Sequence, residues 1–205
     1  SQGCVACHDA HGSGFPGLLP AKGADACFQC HDQEPFNRKR IHEPLKKNGC
    51  QTCHDPHGSA QAALLRLPAD ALCRSCHDDN DKLTRNHQSI EFPLTGCVSC
   101  HDPHSSNGKK LLHQVQHEPA ADLDCSSCHQ MDNEGKLQLV STPAELCAGC
   151  HGDVNTGSNH HVPVEDGDCL ECHAPHGSAQ AGLLKNTLQR VCFECHDAKA
   201  FNKPV

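Results

Sequence analysis

A ten-residue stretch at residues 50–59, CQTCHDPHGS, combines two cysteines and two histidines at a spacing that binds a metal cofactor. Cys50, Cys53 and His54 form a C-x-x-C-H motif, the pattern to which c-type haem is attached through two thioether bonds. His54 is then the proximal ligand of the iron. His57 follows three residues later, and two imidazoles this close in sequence cannot easily reach opposite faces of one planar macrocycle. We therefore predict that His57 ligates a different, neighbouring haem.

All 18 cysteines of the chain belong to nine such motifs, and none is left over. A zinc ribbon or a disulfide framework would not explain a histidine after every second cysteine. An iron–sulfur site requires C-x-x-C-x-x-C, which does not occur. The sequence thus predicts nine c-type haems. Their thioether cysteines are Cys4, Cys7, Cys27, Cys30, Cys50, Cys53, Cys73, Cys76, Cys97, Cys100, Cys125, Cys128, Cys147, Cys150, Cys169, Cys172, Cys192 and Cys195, and their proximal ligands are His8, His31, His54, His77, His101, His129, His151, His173 and His196.

The composition does not provide an ordinary hydrophobic core. Aromatic residues make up 3% of the 205 residues, with no Trp and no Tyr, and the mean hydropathy is −0.59. Such a chain buries too little apolar surface to offset its conformational entropy, so we expect the haems to supply the core. The net charge of −8, made more negative by haem propionates, disfavours nucleic acid as a partner.

The first cysteines of the motifs recur at intervals of 22 to 28 residues, which is typical of a quasi-linear repeat protein. We predict mostly coil with short α-helices, wrapped as an elongated, repeat-like multihaem cytochrome c around a linear haem stack, with no sheet. Short helices are expected over 68–76, 142–150 and 186–195. The domain prediction is one unit over 1–205, with internal repeats at approximately 1–40, 41–85, 86–116, 117–158 and 159–205.

Ten histidines lie outside the motifs and are candidate distal ligands. The alternative, that they are ordinary surface histidines, does not explain why most of them recur in register. They precede a first cysteine by eight or ten residues, or follow a proximal histidine by three. The candidates are His11, His42, His57, His87, His104, His113, His117, His160, His161 and His176.

The steric argument assigns each histidine after a motif to the next haem along the chain. His11, His57, His104 and His176 would then serve the haems at Cys27, Cys73, Cys125 and Cys192. His42, His87 and His161 would serve those at Cys50, Cys97 and Cys169, and His117 or His113 the one at Cys147. One of His113 and His117 and one of His160 and His161 remain spare, and the haem at Cys4 has no local distal ligand.

This deficit at Cys4 leads to a hypothesis about assembly. Residues 192–203 repeat residues 27–38, and in the earlier copy His42 follows shortly afterwards. We expect a histidine of a neighbouring subunit to complete the haem at Cys4 and to join subunits head to tail. Such a heterologous contact propagates into a filament unless it closes. A spare internal histidine that folds back is the alternative.

The ligand set indicates electron transfer and not bond chemistry. Met131 is the only methionine, so at most one haem has His/Met ligation and the others are of the low-potential bis-histidine type. Six-coordinate iron has no open position for a substrate, so we do not expect an enzyme. The thioether bonds are made outside the cytoplasm, which predicts an exported periplasmic, cell-surface or extracellular protein. No signal peptide is visible at Ser1-Gln2-Gly3, which indicates a mature chain or a fragment, and no apolar run has membrane-spanning length.

The pattern resembles the multihaem cytochromes c with doubled C-x-x-C-H motifs, and blocks such as CHDPHGS at 53–59 carry the likeness. That family includes extracellular cytochrome filaments of metal-respiring microbes and decahaem cytochromes threaded through outer-membrane porins. The resemblance implies a continuous haem chain with bis-histidine ligation throughout. The middle departs from the pattern, since His113 and His117 both precede Cys125 and no histidine follows His129 closely.

These features predict a linear haem wire for extracellular electron transfer. Its partners would be other copies of itself, redox proteins or extracellular acceptors. A monomeric periplasmic carrier or a porin-embedded conduit of the same chemistry is the first alternative. A multihaem reductase is the second, and the haem at Cys4 is its only candidate for an open position.

Overall fold

A computed structural model describes residues 3–78, 80–87, 90, 92–152, 154 and 156–201 of the chain. Within these ranges the polypeptide is mostly coil and short helices, which confirms the predicted fold class. The α-helices are α1 (Glu43–Asn48), α2 (Ala69–Arg74), α3 (Asn80–Asn86), α4 (Glu118–Ala121), α5 (Pro143–His151), α6 (Val162–Glu165), α7 (Cys169–Cys172), α8 (Leu188–Phe193) and α9 (Ala198–Phe201). Single 3₁₀ turns or short runs of them cover Cys4–Ala6, Pro16–Leu18, Gly23–Gln29, Glu34–Phe36, Cys50–Thr52, Ala62–Leu64, Cys97–Ser99, Lys109–Leu111, Cys125–Ser127 and Ala181–Leu183.

The helices shape the C-x-x-C-H motifs. In seven motifs the backbone N–H of the histidine donates to the carbonyl of the first cysteine at 3.0 Å, for example from His54 to Cys50, so the two side chains lie on one side of a helical turn. The helices predicted over 68–76, 142–150 and 186–195 are present as α2, α5 and α8. Helix α5 begins with a capping box, in which the side chain of Thr142 accepts from the N–H of Glu145 and the Glu145 carboxylate accepts from the N–H of Thr142.

Three two-stranded ladders were not predicted from the sequence. Strand β1 (Arg40–Ile41) pairs antiparallel with β2 (Ser105–Ser106), and β3 (Val115–Gln116) pairs antiparallel with β6 (Gly177–Ser178). A hairpin joins β4 (His129–Met131) and β5 (Leu137–Leu139). Strands of two or three residues are too short to leave an alternating pattern in the sequence. The first two ladders join segments about 60 residues apart and, as shown below, decide which histidines meet.

The polypeptide alone packs loosely. A compact protein of 22.1 kDa exposes about 9,300 Å² of surface, whereas this chain exposes 14,938 Å². Among the described residues Val191 is the one buried hydrophobic side chain, and the best buried side chains are those of Ser105 and Ser106 in β2. A polypeptide with so few buried side chains of its own is consistent with a fold whose core consists of large apolar groups bound to it. The predicted winding around a linear haem stack stays a prediction, and Asn202 and Lys203 of the C-terminal repeat lie outside the described residues.

Candidate haem-binding sites

Four copies of a twelve-residue loop present eight of the 19 histidines, and we call them histidine loops: residues 8–19, 54–65, 101–112 and 173–184. Each begins at a motif histidine, whose Nδ1 lies close to the carbonyl oxygen of the residue nine positions later. These contacts are His8 to Gly17 (2.6 Å), His54 to Ala63 (2.8 Å), His101 to Lys110 (2.9 Å) and His173 to Gly182 (2.8 Å). A carbonyl only accepts, so Nδ1 carries the proton and Nε2 keeps the lone pair that binds a metal.

The carbonyls that orient these histidines come from a left-handed turn. At this position Gly17 and Gly182 have φ of 72° and 66°, which glycine adopts without strain, but Ala63 and Lys110 adopt φ of 53° and 58°. A residue with a Cβ pays for this conformation through contact with its own backbone. Two of the four loops therefore keep backbone strain at the residue that holds the proximal histidine.

Replacing Ala63 by glycine is expected to stabilise its loop, by roughly 0.5–1 kcal/mol once the extra freedom of glycine in the unfolded chain is subtracted. The matched reverse change is Gly182→Ala, because a Cβ there would meet nothing within 4 Å and only the backbone conformation would oppose it. We expect the first variant to raise and the second to lower the denaturant midpoint. Equal midpoints for both variants would contradict strain at this turn.

Among the described residues, seven pairs of histidine rings face each other, and each pair contains one motif histidine and one histidine from outside the motifs. Their ring centroids lie 5.7–6.1 Å apart, and six of the pairs are stacked within 25° of parallel. The pairs are His8–His57, His77–His42, His54–His104, His101–His87, His151–His117, His129–His176 and His196–His161.

This spacing fits two axial ligands of one metal. Metal–imidazole bonds are about 2 Å long, so two imidazoles on opposite sides of one ion have ring centres about 6 Å apart. Direct contact between the rings would bring them closer than most of these pairs are. Because each pair includes a C-x-x-C-H histidine, the cysteines that would anchor a macrocycle lie beside each gap. The residues present therefore fit seven bis-histidine haems.

The partners differ from most of those predicted from the sequence. His87 faces His101 of the motif at Cys97, and His117 faces His151 of the motif at Cys147, as expected. The other predicted partners are wrong in the structure. His57, His104 and His176 face the motifs at Cys4, Cys50 and Cys125, not those at Cys73, Cys125 and Cys192, and His42 and His161 face the motifs at Cys73 and Cys192, not those at Cys50 and Cys169.

For the histidines that follow a motif, the partners differ because of the direction in which a histidine loop points. Each loop carries a second histidine at its tip (His11, His57, His104 or His176, the loop-tip histidines). The ladders β1–β2 and β3–β6 attach the loops at 101–112 and 173–184 to chain segments that lie before them. A loop-tip histidine therefore reaches back two motifs and not forward by one. A haem at Cys4 would therefore have a candidate second ligand, because His57 lies opposite His8.

The two ladders also place a second histidine beside the loop tips at His104 and His176. His42 donates from its N–H to the carbonyl of His104 (2.9 Å), and its Nδ1 lies 3.0 Å from the carbonyl of Pro103. His117 makes the same two contacts with His176 (3.1 Å) and Pro175 (2.8 Å). We call this arrangement a joint. It orients the leading histidine through its Nδ1 and sets the sites at Cys50 and Cys73, and those at Cys125 and Cys147, side by side.

In two candidate histidines, Nε2, the nitrogen expected to bind iron, lies against a backbone carbonyl. Nε2 of His113 lies 2.9 Å from the carbonyl of Val98, and the ring packs against Gly177 in β6. Nε2 of His160 lies 2.5 Å from the carbonyl of Gly157. A nitrogen that donates to a carbonyl has no lone pair for iron, so both residues have structural contacts here. The sequence contained this signal, because neither residue lies eight or ten residues before a first cysteine.

Three predicted ligands remain outside the pairs. In the described part of the chain no imidazole stacks on His31 or on His173, although Nδ1 of His173 is oriented as in the other loops. The loop-tip histidine His11 has a fully exposed side chain and no stacked partner among the described residues. The predicted assignment of His11 to the haem at Cys27 is therefore not reproduced.

Electrostatics favour the ligating form of the enclosed histidines. Burial lowers the pKa of His101, His104 and His176, and neighbouring histidines lower it further. The neutral imidazole, which is the form that binds metal, is thereby favoured at these three positions.

Thiols of successive motifs are close neighbours. Burial raises the pKa of Cys27 and Cys147, and the adjacent thiols of Cys50 and Cys169 raise it further. Burial also raises the pKa of Cys97 to about 11, with contributions from Asp70 and Cys73. These contacts bring neighbouring attachment sites together along the chain, as close haem-to-haem transfer requires.

The arrangement of paired imidazoles beside doubled cysteine motifs defines a multihaem c-type cytochrome. The chain belongs to the doubled CXXCH motif family, which it matches at residues 1–36, 42–82, 93–116, 117–156 and 161–201. It is an electron-transfer protein of the cytochrome c class, and its doubled motifs bind c-type haem.

Two curated relatives share part of this pattern. The chain is 34% identical over 98 residues to the multiheme cytochrome MtrA of Shewanella baltica (strain OS185), covering 44% of this chain and 29% of that protein. It is 30% identical over 95 residues to the high-molecular-weight cytochrome c of Nitratidesulfovibrio vulgaris, covering 40% of this chain and 17% of that protein. Less than a third of each relative is therefore matched. Within the described residues, no helix has both the length and the apolar character needed to cross a bilayer.

Proposed function

We propose that the chain carries nine c-type haems, most of them bis-histidine, and conducts electrons along them as a wire outside the cytoplasm. The observation that carries the proposal is the set of seven facing pairs, each made of one motif histidine and one distal histidine. Bound haem supplies one-electron redox chemistry, and this chain's residues attach it, orient its ligands and keep neighbouring sites close.

The two kinds of contact between sites support conduction. A histidine loop connects two sites, because its first histidine serves one motif and its tip faces another, as His54 and His57 do. A joint connects two more through the backbone bonds of His42 or His117. These contacts link the sites at Cys4, Cys50, Cys73 and Cys97 in one group and those at Cys125, Cys147 and Cys169 in another, so that within each group no mobile carrier is needed.

We further propose that copies of the chain associate head to tail and that the wire operates at the cell surface or beyond it. Acceptors would be redox proteins or extracellular oxidants. Support comes from the open site at His173 and the exposed histidine at His11, which lie in different repeats of the chain.

The test is to purify the holoprotein and measure haem content, assembly and electron transfer together. We expect nine haems per chain by intact mass and assemblies that lengthen with concentration in electron micrographs. We also expect all haems to be reduced when a reductant is attached at one position on the protein surface. A monomer that performs the same transfer would favour a periplasmic or porin-bound carrier. Turnover of a nitrogen or sulfur oxyanion would favour a reductase, whose open haem would be at Cys27 or Cys169 and not at Cys4.

A further inference from the structure

We propose that His11 of one copy of this chain is the distal ligand of the haem at Cys169 in the preceding copy, where His173 is the proximal ligand. The inference rests on the head-to-tail association proposed above and specifies its contact. It follows from a contact that the chain makes twice internally. For a third such contact the chain carries one unused leading histidine, which can donate, and one unused loop tip, whose carbonyls can accept.

The two internal joints give the rule. In each, a leading histidine donates from its N–H and from its Nδ1 to two successive carbonyls at the tip of a later histidine loop, as His42 does with Pro103 and His104. The ring at that loop tip then faces the first motif of the leading histidine's own repeat, as His104 faces His54 and His176 faces His129. In both joints the bonded leading histidine and the facing loop-tip ring thus occur together, although His57 faces His8 without a joint.

The leading histidine of a third joint is His161. Like His42 and His117, this histidine precedes a first cysteine by eight residues, and it faces the second motif of its repeat through His196. Its N–H and its Nδ1 have no partner in the described part of the chain, whereas both groups are bonded in the two internal joints. The first motif of the same repeat is that of His173, which also has no facing imidazole there.

The loop tip of a third joint is that of His11. The loop at 8–19 has the same internal bonds as the others: the N–H of Asp9 donates to the carbonyl of Leu18, and the Asp9 carboxylate accepts from the N–H of His11. The equivalent bonds of Asp102 hold His104 in the first internal joint. The loop is thus preformed, and its carbonyls at Ala10 and His11 correspond to those of Pro103 and His104.

Burial shows which loop tips are engaged in a joint; the tip at His57, which faces His8 without a joint, is exposed. Ser105, Ser106, Gly177 and Ser178, which form strands in the two internal joints, are all buried. The equivalent Gly12 is exposed, with φ of 135°, and the side chain of His11 is fully exposed. Following the register of β1–β2 and β3–β6, docking would place Gly12 opposite His160 and Ser13 opposite Asn159 and would require Gly12 to become extended.

The contact continues the wire. Inside the chain, one histidine loop links the site that its first histidine serves to the site that its tip faces. The loop at 8–19 would link the haem at Cys4 of its own copy to the haem at Cys169 of the preceding copy. Ligation itself transfers neither a proton nor an electron, because the neutral imidazole provides its own lone pair.

Two variants with complementary defects test the contact. His11→Ala removes the distal ligand and keeps the haem at Cys169. Cys169→Ala/Cys172→Ala removes that haem and keeps the ligand His11. We expect each variant alone to be monomeric by mass photometry and an equimolar mixture to form dimers and nothing larger. Wild-type assemblies should show eight bis-histidine haems of nine by near-infrared magnetic circular dichroism, against seven for the dilute monomer and for His11→Ala. Added imidazole should dissociate the assemblies.

The outcomes separate the contact from the proposed function. If His11→Ala assembles as the wild type does, this contact is wrong and head-to-tail association stands. If the wild type stays monomeric at every concentration while transferring electrons, both the contact and the association are wrong and electron transfer stands. A wild-type monomer with nine bis-histidine haems, or one whose bis-histidine count falls by one in Cys169→Ala/Cys172→Ala, would also overturn the contact, because His173 would already have its ligand.

Discussion

Replacing His57 by alanine is expected to leave one haem of the chain, the one at Cys4, with a single histidine ligand. His57 lies opposite His8 with centroids 6.1 Å apart and planes 13° from parallel, and it is far along the chain from that motif. Loss of the second strong ligand converts a low-spin haem to a high-spin one, because a weaker axial field remains. We expect one ninth of the haem to change spin state and to bind carbon monoxide after reduction.

The identity of the affected haem can be established in a chain that lacks it. In a Cys4→Ala/Cys7→Ala background eight haems remain, and adding His57→Ala should change none of them. A new high-spin haem in that background would mean that His57 serves another motif, such as the one at Cys73. His113→Ala in the complete chain is the matched control, since Nε2 of His113 is bonded to the Val98 carbonyl and its loss should alter no haem ligand.

Replacing Arg38 by methionine is expected to destabilise the contact between β1 and the histidine loop at 101–112 by about 3 kcal/mol. The Arg38 side chain is 9% exposed and donates to Asp102 (2.7 Å), to Glu34 (3.1 and 3.2 Å) and to the carbonyl of Ser105 (3.2 Å). Asp102 is itself only 13% exposed, so its negative charge would lose the guanidinium that neutralises it while staying buried. Chemical denaturation followed by Soret absorption measures the loss.

A local effect on one haem accompanies this loss of stability. The other oxygen of Asp102 accepts from the N–H groups of His104 and Ser105, so movement of Asp102 disturbs the ligand of the haem at Cys50. We expect the potential of that haem to shift in Arg38→Met, with the haem at Cys4 unchanged. Lys39→Met is the control, because Lys39 is exposed and has no ion pair in the described residues. Arg38→Met/Asp102→Asn should recover part of the stability, and equal stability of Arg38→Met and Lys39→Met would contradict the argument.

What the sequence could predict depended on how local each interaction is. The attachment sites follow from C-x-x-C-H alone, and the pair His87–His101 could be predicted because it lies within one repeat. The steric argument that His54 and His57 cannot share a haem also agrees with the structure, which gives them His104 and His8 as partners.

The direction of the loop-tip histidines could not be predicted. It is set by two-residue ladders such as Arg40–Ile41 with Ser105–Ser106, which leave no periodic signal and whose partners are far apart in sequence. The histidines that are not needed as ligands could be distinguished more easily from the sequence. The eight-residue register singles out His117 over His113 and His161 over His160, and the structure shows why, since the two spare residues direct Nε2 at backbone carbonyls.

We predict that the facing histidines are the axial pairs of seven haems. Near-infrared magnetic circular dichroism of the oxidised monomer tests this prediction most directly. Bis-histidine ferric haem has its own charge-transfer band, so the number of such haems per chain can be counted against total haem. We predict seven bis-histidine haems, with the two at Cys27 and Cys169 holding one histidine each. Fewer than seven, or a substantial population with His/Met ligation, would contradict the pairing on which the account depends.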